Sequence, residues 1–151
     1  MLDIIAIPKI SKFYHVVNTG KKLKPTEISK EDAKDKLCKV VGKRYISGGK
    51  VQLSLHDGRN VAIERKDSEK YGVGDSLVIE VPSQKISSAL KIEKGATCYV
   101  ALGRHAGQVA KLVELEEKPF GTPTDAVLED GKHKFITRKD YLFVVPKEFK
   151  V

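Results

Sequence analysis

The chain has 151 residues, no tryptophan and two cysteines, with 28 Lys/Arg against 20 Asp/Glu and a formal charge of +8. At 40% hydrophobic and 32% charged, it can build a core of Val, Ile, Leu and Ala, and its length allows one ordinary domain or two small ones. No run of 18 apolar residues is present, which excludes a membrane-crossing helix, and Met1–Pro8 lacks the basic and long apolar stretches of a secretory leader.

In chain order the texture is β. Leu2–Ile7 is a β-branched run ended by Pro8. Phe13–Val17 is a second strand, Asn18-Thr19-Gly20 a turn, and Lys21–Lys24 the return, closed by Pro25. Ser29 and Asp32 then take the spacing of a capping box, with acids early and lysines late. One short helix of about 8–10 residues is expected there, stable only when docked on a sheet. Gly42 reads as a stop or a bulge.

Residues 43–81 read as a β-meander. Val51, Leu53 and Leu55 alternate with Gln52, Ser54 and His56, so one face is buried and the other wet. Asp57-Gly58 is a strong hairpin signal, read as a type I′ turn in which Asp57 and Asn60 bond the local backbone. Val61 and Ile63 carry the returning strand, Gly72–Asp75 is a turn, and Leu77–Val81 is a strand ended by Pro82. Ser83–Leu90 is polar without strand pattern and marks a domain boundary. Thr97–Leu102, Gln108–Leu115, Asp125–Leu128, Lys134–Thr137 and Tyr141–Val145 are five further short strands. The expected fold is mainly β, in two small β domains. Residues 1–88 form a mostly antiparallel sheet with one short helix, and 89–151 an SH3-like barrel.

The basic excess is uneven. Residues 1–50 hold 12 Lys/Arg against 5 Asp/Glu, whereas 51–90 hold 5 against 6. A polyanion is the partner this implies. No amphipathic basic helix points to a lipid surface. The clusters expected to touch that polyanion are Lys21, Lys22 and Lys24, then Lys43, Arg44 and Lys50, then Lys111, Lys132, Lys134 and Arg138. Arg65-Lys66 lie among Glu64, Asp67 and Glu69, which weakens them. Gly103-Arg-His-Ala-Gly107 is a tight loop between strands, and it sets Arg104 and His105 on a tip able to enter a groove or stack on a base.

His56, Asp57 and Arg59 invite a catalytic reading, but no Ser or Cys motif supplies a nucleophile, so no enzyme is expected. Arg59 is a candidate phosphate contact, with a plain turn as the alternative. The four histidines are dispersed and Cys38 and Cys98 lie far apart, which predicts buried, reduced thiols in a cytoplasmic protein. No metal site and no cofactor are expected.

The segment Lys94–Val113 resembles a KOW motif, the hairpin that opens an SH3-like barrel in many ribosomal proteins and in NusG-type transcription factors. Ala110 stands where many such motifs have glycine. Lys36-Leu-Cys-Lys-Val40, Gly48-Gly-Lys-Val-Gln-Leu53, Leu55-His-Asp-Gly-Arg-Asn-Val61 and Lys139-Asp-Tyr-Leu-Phe-Val144 occur in this order in one family. Across Leu2–Val145 the chain resembles small-subunit ribosomal protein four of the archaeal and eukaryotic (e) type. The resemblance implies a structural constituent of the small subunit that binds ribosomal RNA beside neighbouring small-subunit proteins, in the ribosome of the cytoplasm. It takes no small-molecule substrate and no membrane.

Members of that family carry a preceding helical RNA-binding domain. The expectation is that it is absent here, through truncation or a late-assigned start, and that RNA affinity is correspondingly lower. The alternatives are a KOW transcription elongation factor and an SH3-like protein-interaction module. The latter requires Tyr99, Phe120, Phe135, Tyr141 and Phe143 to line one exposed groove.

Overall fold

The computed structural model describes residues 2–81 and 83–149. Among the described residues, thirteen strands form three antiparallel sheets. The N-terminal sheet is β1 (Ile4–Ile7), β2 (Lys12–Asn18) and β3 (Leu23–Ile28), with β2 central. A 3-10 turn begins at Pro8, whose fixed φ and missing N–H end β1. Pro25 does not close the hairpin. It lies inside β3 opposite Val16, tolerated because β3 is an edge strand.

The second sheet has order β6-β5-β4-β7-β8, built from β4 (Asp35–Ile46), β5 (Lys50–Leu55), β6 (Asn60–Glu64), β7 (Ser76–Glu80) and β8 (Ile86–Leu90). The expected helix does not form. Ser29 does cap a turn, accepting the Asp32 amide at 3.1 Å and donating to the Asp32 carboxylate at 2.7 Å. That turn covers only Asp32–Lys34, and Leu37 and Cys38 belong to β4. Five consecutive β7 pairings, Asp35↔Glu80 to Lys39↔Ser76, outcompete a helix too short to hold alone. Residues 40–46 then pair with β5, and the register slips at Gly42, leaving Val41 outside as a bulge.

Ser83–Leu90 also departs from expectation, because Ile86–Leu90 is the edge strand β8. The Asp57-Gly58 turn is not type I′. Gly58 alone has positive φ (+87°), its N–H donates to Leu55 O, and Asn60 accepts from the Ser54 hydroxyl at 2.9 Å. Asp57 does bond the local backbone, accepting the Arg59 amide.

The third sheet is an SH3-like half-barrel of order β12-β11-β10-β9-β13. Its strands are β9 (Thr97–Val100), β10 (Val109–Glu116), β11 (Asp125–Asp130), β12 (His133–Arg138) and β13 (Leu142–Val144). All five expected tail strands are present.

Three apolar clusters follow from this topology. Cys38, Val40, Val51, Leu53, Leu55, Leu77 and Ile79 fill the second sheet's core. Cys98, Val100, Ala110, Leu112, Ala126, Leu128, Leu142 and Val144 fill the half-barrel. The third cluster joins Leu2 and Val17 to Tyr99, Ala101, Phe143 and Val145. So β9 and β13 are buried on both faces, and the N-terminal sheet supplies the cover. Tyr99 pins it: its hydroxyl donates to Asn18 O at 2.6 Å and accepts the Asn18 amide at 3.0 Å. Asn18 Nδ2 donates in turn to Ala101 O.

Candidate nucleic-acid interface

Lys21 and Lys22 stand at the β2–β3 turn and are exposed, as is Lys24. The turn is closed by Thr19, whose amide and hydroxyl both donate to Lys22 O, and by Asn18, whose Oδ1 accepts the Gly20 amide. Arg104 is exposed on the β9–β10 loop. The two loops touch. A Cβ on Gly107 would meet Thr19 backbone atoms at 2.5–2.8 Å, and one on Gly20 would collide with Ala106 O. Both glycines have positive φ, +91° and +82°, so bare backbone packs on backbone where any side chain would wedge the loops apart. Segments distant in sequence thereby present Lys21, Lys22 and Arg104 along one edge.

His105 is not a projecting tip. It is half-buried and stacks on Phe135, with ring centres 4.4 Å apart. Lys43 is also turned inward: its ammonium donates to Ser68 O at 2.5 Å and Tyr71 O at 3.2 Å. Arg44 and Lys50 are exposed at the β4–β5 hairpin, where Arg65 lies over the Tyr45 ring at 5.7 Å. Lys132 and Lys134 are exposed at the β11–β12 turn. Lys111 and Lys134 both take Glu129 as cross-strand partner. Arg138 contacts the Asp140 carboxylate at 3.0 Å and the Tyr141 ring at 5.2 Å.

Arg59 belongs to an internal knot. The Asp57 carboxylate receives the Lys36 ammonium at 2.8 Å and Arg59 Nε at 3.3 Å, and Lys36 also reaches Asp3 at 2.8 Å. Burial opposes the Asp57 anion, but the Lys36 ammonium and the Arg59 amide hold its pKa below the usual carboxylate range. The same ammonium holds Asp3 at about 2. Lys39 is buried as well, donating to Lys139 O and Asp140 O, and burial pulls its pKa down to about 8. These two lysines bolt β4 to its surroundings. Their sequence signal is position alone, with Lys39 inside the apolar run Leu37–Val41 and Lys36 directly before it.

Cys38, His56 and Asp57 bring one ligand atom each within 4.8 Å of one another, a grouping their sequence spacing did not suggest. The donors are spoken for. Asp57 carries two cations, His56 Nδ1 accepts the Lys39 amide at 3.1 Å, and burial pushes the Cys38 thiol up to about 11. An added cation would have to displace Lys36 and Arg59. A cleft of about 520 Å³ beside the N-terminal sheet holds His15, Ser29 and Asp32. There the Ser29 hydroxyl donates to Asp32, which makes it a turn cap rather than a base-activated nucleophile.

The five aromatics that a peptide groove requires do not share a face. Tyr99 and Phe143 are buried, Phe135 and Tyr141 half-buried, and Phe120 fully exposed. No described helix is long and apolar enough to cross a membrane.

Comparison with known proteins places this architecture. The small ribosomal subunit protein eS4 of Methanocaldococcus jannaschii is 40% identical, over 98% of this chain and 62% of its own length. That of Methanothermobacter thermautotrophicus is 36% identical, over 97% of this chain and 60% of its own length. The chain thus spans about three-fifths of these relatives. The crystal structure of the 30S ribosomal protein S4e from Thermoplasma acidophilum superposes with a TM-score of 0.80 at 32% identity, covering 98% of this chain and 72% of that one. The family described as Ribosomal family S4e matches residues 10–86, and the chain belongs to that family.

Proposed function

We propose that the chain is a non-catalytic constituent of the small ribosomal subunit, in the ribosome of the cytoplasm, that binds and stabilises ribosomal RNA beside neighbouring small-subunit proteins. The observation that carries this reading is the seam between the β2–β3 turn and the β9–β10 loop, which sets Lys21, Lys22 and Arg104 on one rigid edge. Lysines neutralise phosphate and set affinity, while the planar guanidinium of Arg104 adds bidentate geometry. Arg44 and Lys50 at one hairpin, and Lys132 and Lys134 at another, extend the contact, with Lys24 and Lys111 on exposed strand faces. Lys43, Arg59 and His105 act from within, by holding the scaffold that presents them, while the exposed Arg138 is engaged by Asp140 and the Tyr141 ring. Residues 1–88 and 89–151 work as two β units, with the second sheet and the half-barrel each carrying a core and the N-terminal sheet as cover for the half-barrel.

The test is binding to a small-subunit RNA 5′-domain fragment across a salt series, with tRNA and duplex DNA as controls. Log K falls with log salt at a slope of roughly −0.7Z to −0.9Z for Z neutralised phosphates. The reading requires a preference for the ribosomal fragment and a shallower slope in Arg104→Ala and Arg44→Ala. Equal binding to all three nucleic acids, or slopes unchanged by both substitutions, would overturn it.

A further inference from the structure

We propose that the β10–β11 loop is a protein-docking finger, whose Phe120 enters an apolar pocket rimmed by Lys and Arg on a basic protein partner. It goes beyond RNA binding and takes from the preceding section only where the partner is to be found.

Phe120 is fully exposed, at 109% of its reference area. A phenylalanine held entirely in water forfeits about 1.5–3 kcal/mol that burial would return. The loop around it is built rather than loose. The Thr122 amide donates to Pro119 O at 3.1 Å, with Gly121 at φ +89°. That is a type II turn with Phe120 and Gly121 at its centre, the latter where positive φ is needed. Pro119 and Pro123 stiffen both sides, and the Lys118–Asp125 ion pair at 2.5 Å closes the base. A preorganised turn holding one aromatic outward loses little entropy when that ring is buried.

Charge selects the class of partner. Between Glu114 and Asp125 the chain has four carboxylates, Glu114, Glu116, Glu117 and Asp125, and one lysine, Lys118. Lys118 is spent on Asp125, and Lys94 lies 3.8 Å from Glu114. Glu116 and Glu117 remain exposed in the segment that leads to Phe120, on a molecule whose total charge is +8. Phosphate is repelled there, which disfavours stacking Phe120 on an RNA base. A pocket with a Lys/Arg rim is attracted instead, and the pairing of a central aromatic with a charged rim is the usual anatomy of a protein interface.

The full chain bearing Phe120→p-benzoylphenylalanine is irradiated in two mixtures. One contains small ribosomal subunits from a methanogenic archaeon, the other the RNA-free protein fraction of those subunits. Sedimentation with the subunits reads the ribosomal assignment separately. The expected result is a discrete, nuclease-resistant adduct with one protein, mapped to an apolar segment flanked by Lys or Arg. It should form in at least one mixture and fall at least about tenfold when Glu116→Lys and Glu117→Lys are added. Both changes are on the surface and leave the fold intact. A nuclease-sensitive adduct overturns the proposal in favour of RNA stacking. So does absence of any protein adduct in both mixtures, or an adduct indifferent to the charge reversal. A chain that gives the protein adduct without sedimenting with subunits overturns the ribosomal assignment alone.

Discussion

Replacing Gly107 by alanine tests the seam on which the basic edge depends. Gly107 sits at φ +91°, where an L-residue costs about 1–2 kcal/mol. Its new Cβ would also lie 2.5, 2.7 and 2.8 Å from Thr19 C, O and Cα. Those are backbone atoms, next to an Asn18 held from two sides by the Tyr99 hydroxyl, so the turn cannot simply retreat. Overpacking of this kind adds about 1–3 kcal/mol, for a total of about 2–5 kcal/mol. Gly48 is the control. It has a similar φ of +79° with nothing within 4 Å of its Cβ, so Gly48→Ala should lose only the first about 1–2 kcal/mol. Urea unfolding followed by circular dichroism and tyrosine fluorescence reads both, since the chain has five tyrosines and no tryptophan. In a chain of this size each kcal/mol moves Tm by about 2–4 °C. Equal losses in the two variants would refute the packing argument.

Adjacent residues on β4 should separate stability from binding. Lys43→Met strands two carbonyls and should cost about 1–3 kcal/mol with RNA affinity intact, whereas Arg44→Ala should change stability by under about 0.5 kcal/mol and weaken RNA binding; paired melts and filter binding decide. Asp3 has a folded pKa of about 2 against an ordinary 3.8, so its contribution is complete above pH 4 and lost as pH falls towards 2. Asp3→Asn should therefore flatten the acid limb of the stability profile, and an unchanged limb contradicts the Lys36 pairing. Lys39 is shifted in the same direction, but there the shift works against the charged form. Its folded pKa near 8 lies below the ordinary 10.5, so the folded state binds fewer protons and gains stability as pH rises between those values. Unfolding of Lys39→Met across that range should lack the gain; a parallel profile would place the ammonium in water.

The strands were legible wherever one face is wet. Val51, Leu53 and Leu55 alternate and are buried as their spacing implies, and the tail strands fall between Gly- and Pro-bearing loops. Ser29 signalled a real cap, but cap chemistry is local and says nothing of the β7 partner that draws Leu37 and Cys38 into a strand. Ser88 hid β8 because an edge strand needs few apolar residues. The docking of the N-terminal sheet had a signal that alternation alone overlooks. Cys98-Tyr-Val-Ala101 and Leu142-Phe-Val-Val145 are apolar at every position, as strands buried on both faces are. Among candidate contacts, Lys21, Lys22 and Arg104 were readable as basic turn residues. That Lys43 and Arg59 face inward was not, because their acceptors come from Ser68, Tyr71 and Asp57 through tertiary packing.

The cover that β1–β3 lays over β9 and β13 also sets a timetable for synthesis. Val17 is fully buried in a cluster with Leu2 and with Tyr99, Ala101, Phe143 and Val145 from far downstream, and the bonds from Asn18 reach 81 and 83 residues ahead. At about 5–20 residues per second, the first hairpin waits on the order of 4–16 s for the first of its counterparts, and longer for Phe143 and Val145. Through that interval its apolar face lacks its cover, and even the second sheet has its last strand, ending at Leu90, before Tyr99 is made. The earliest-made part of the molecule is therefore the last to find shelter, and aggregation or proteolysis during translation should strike there first.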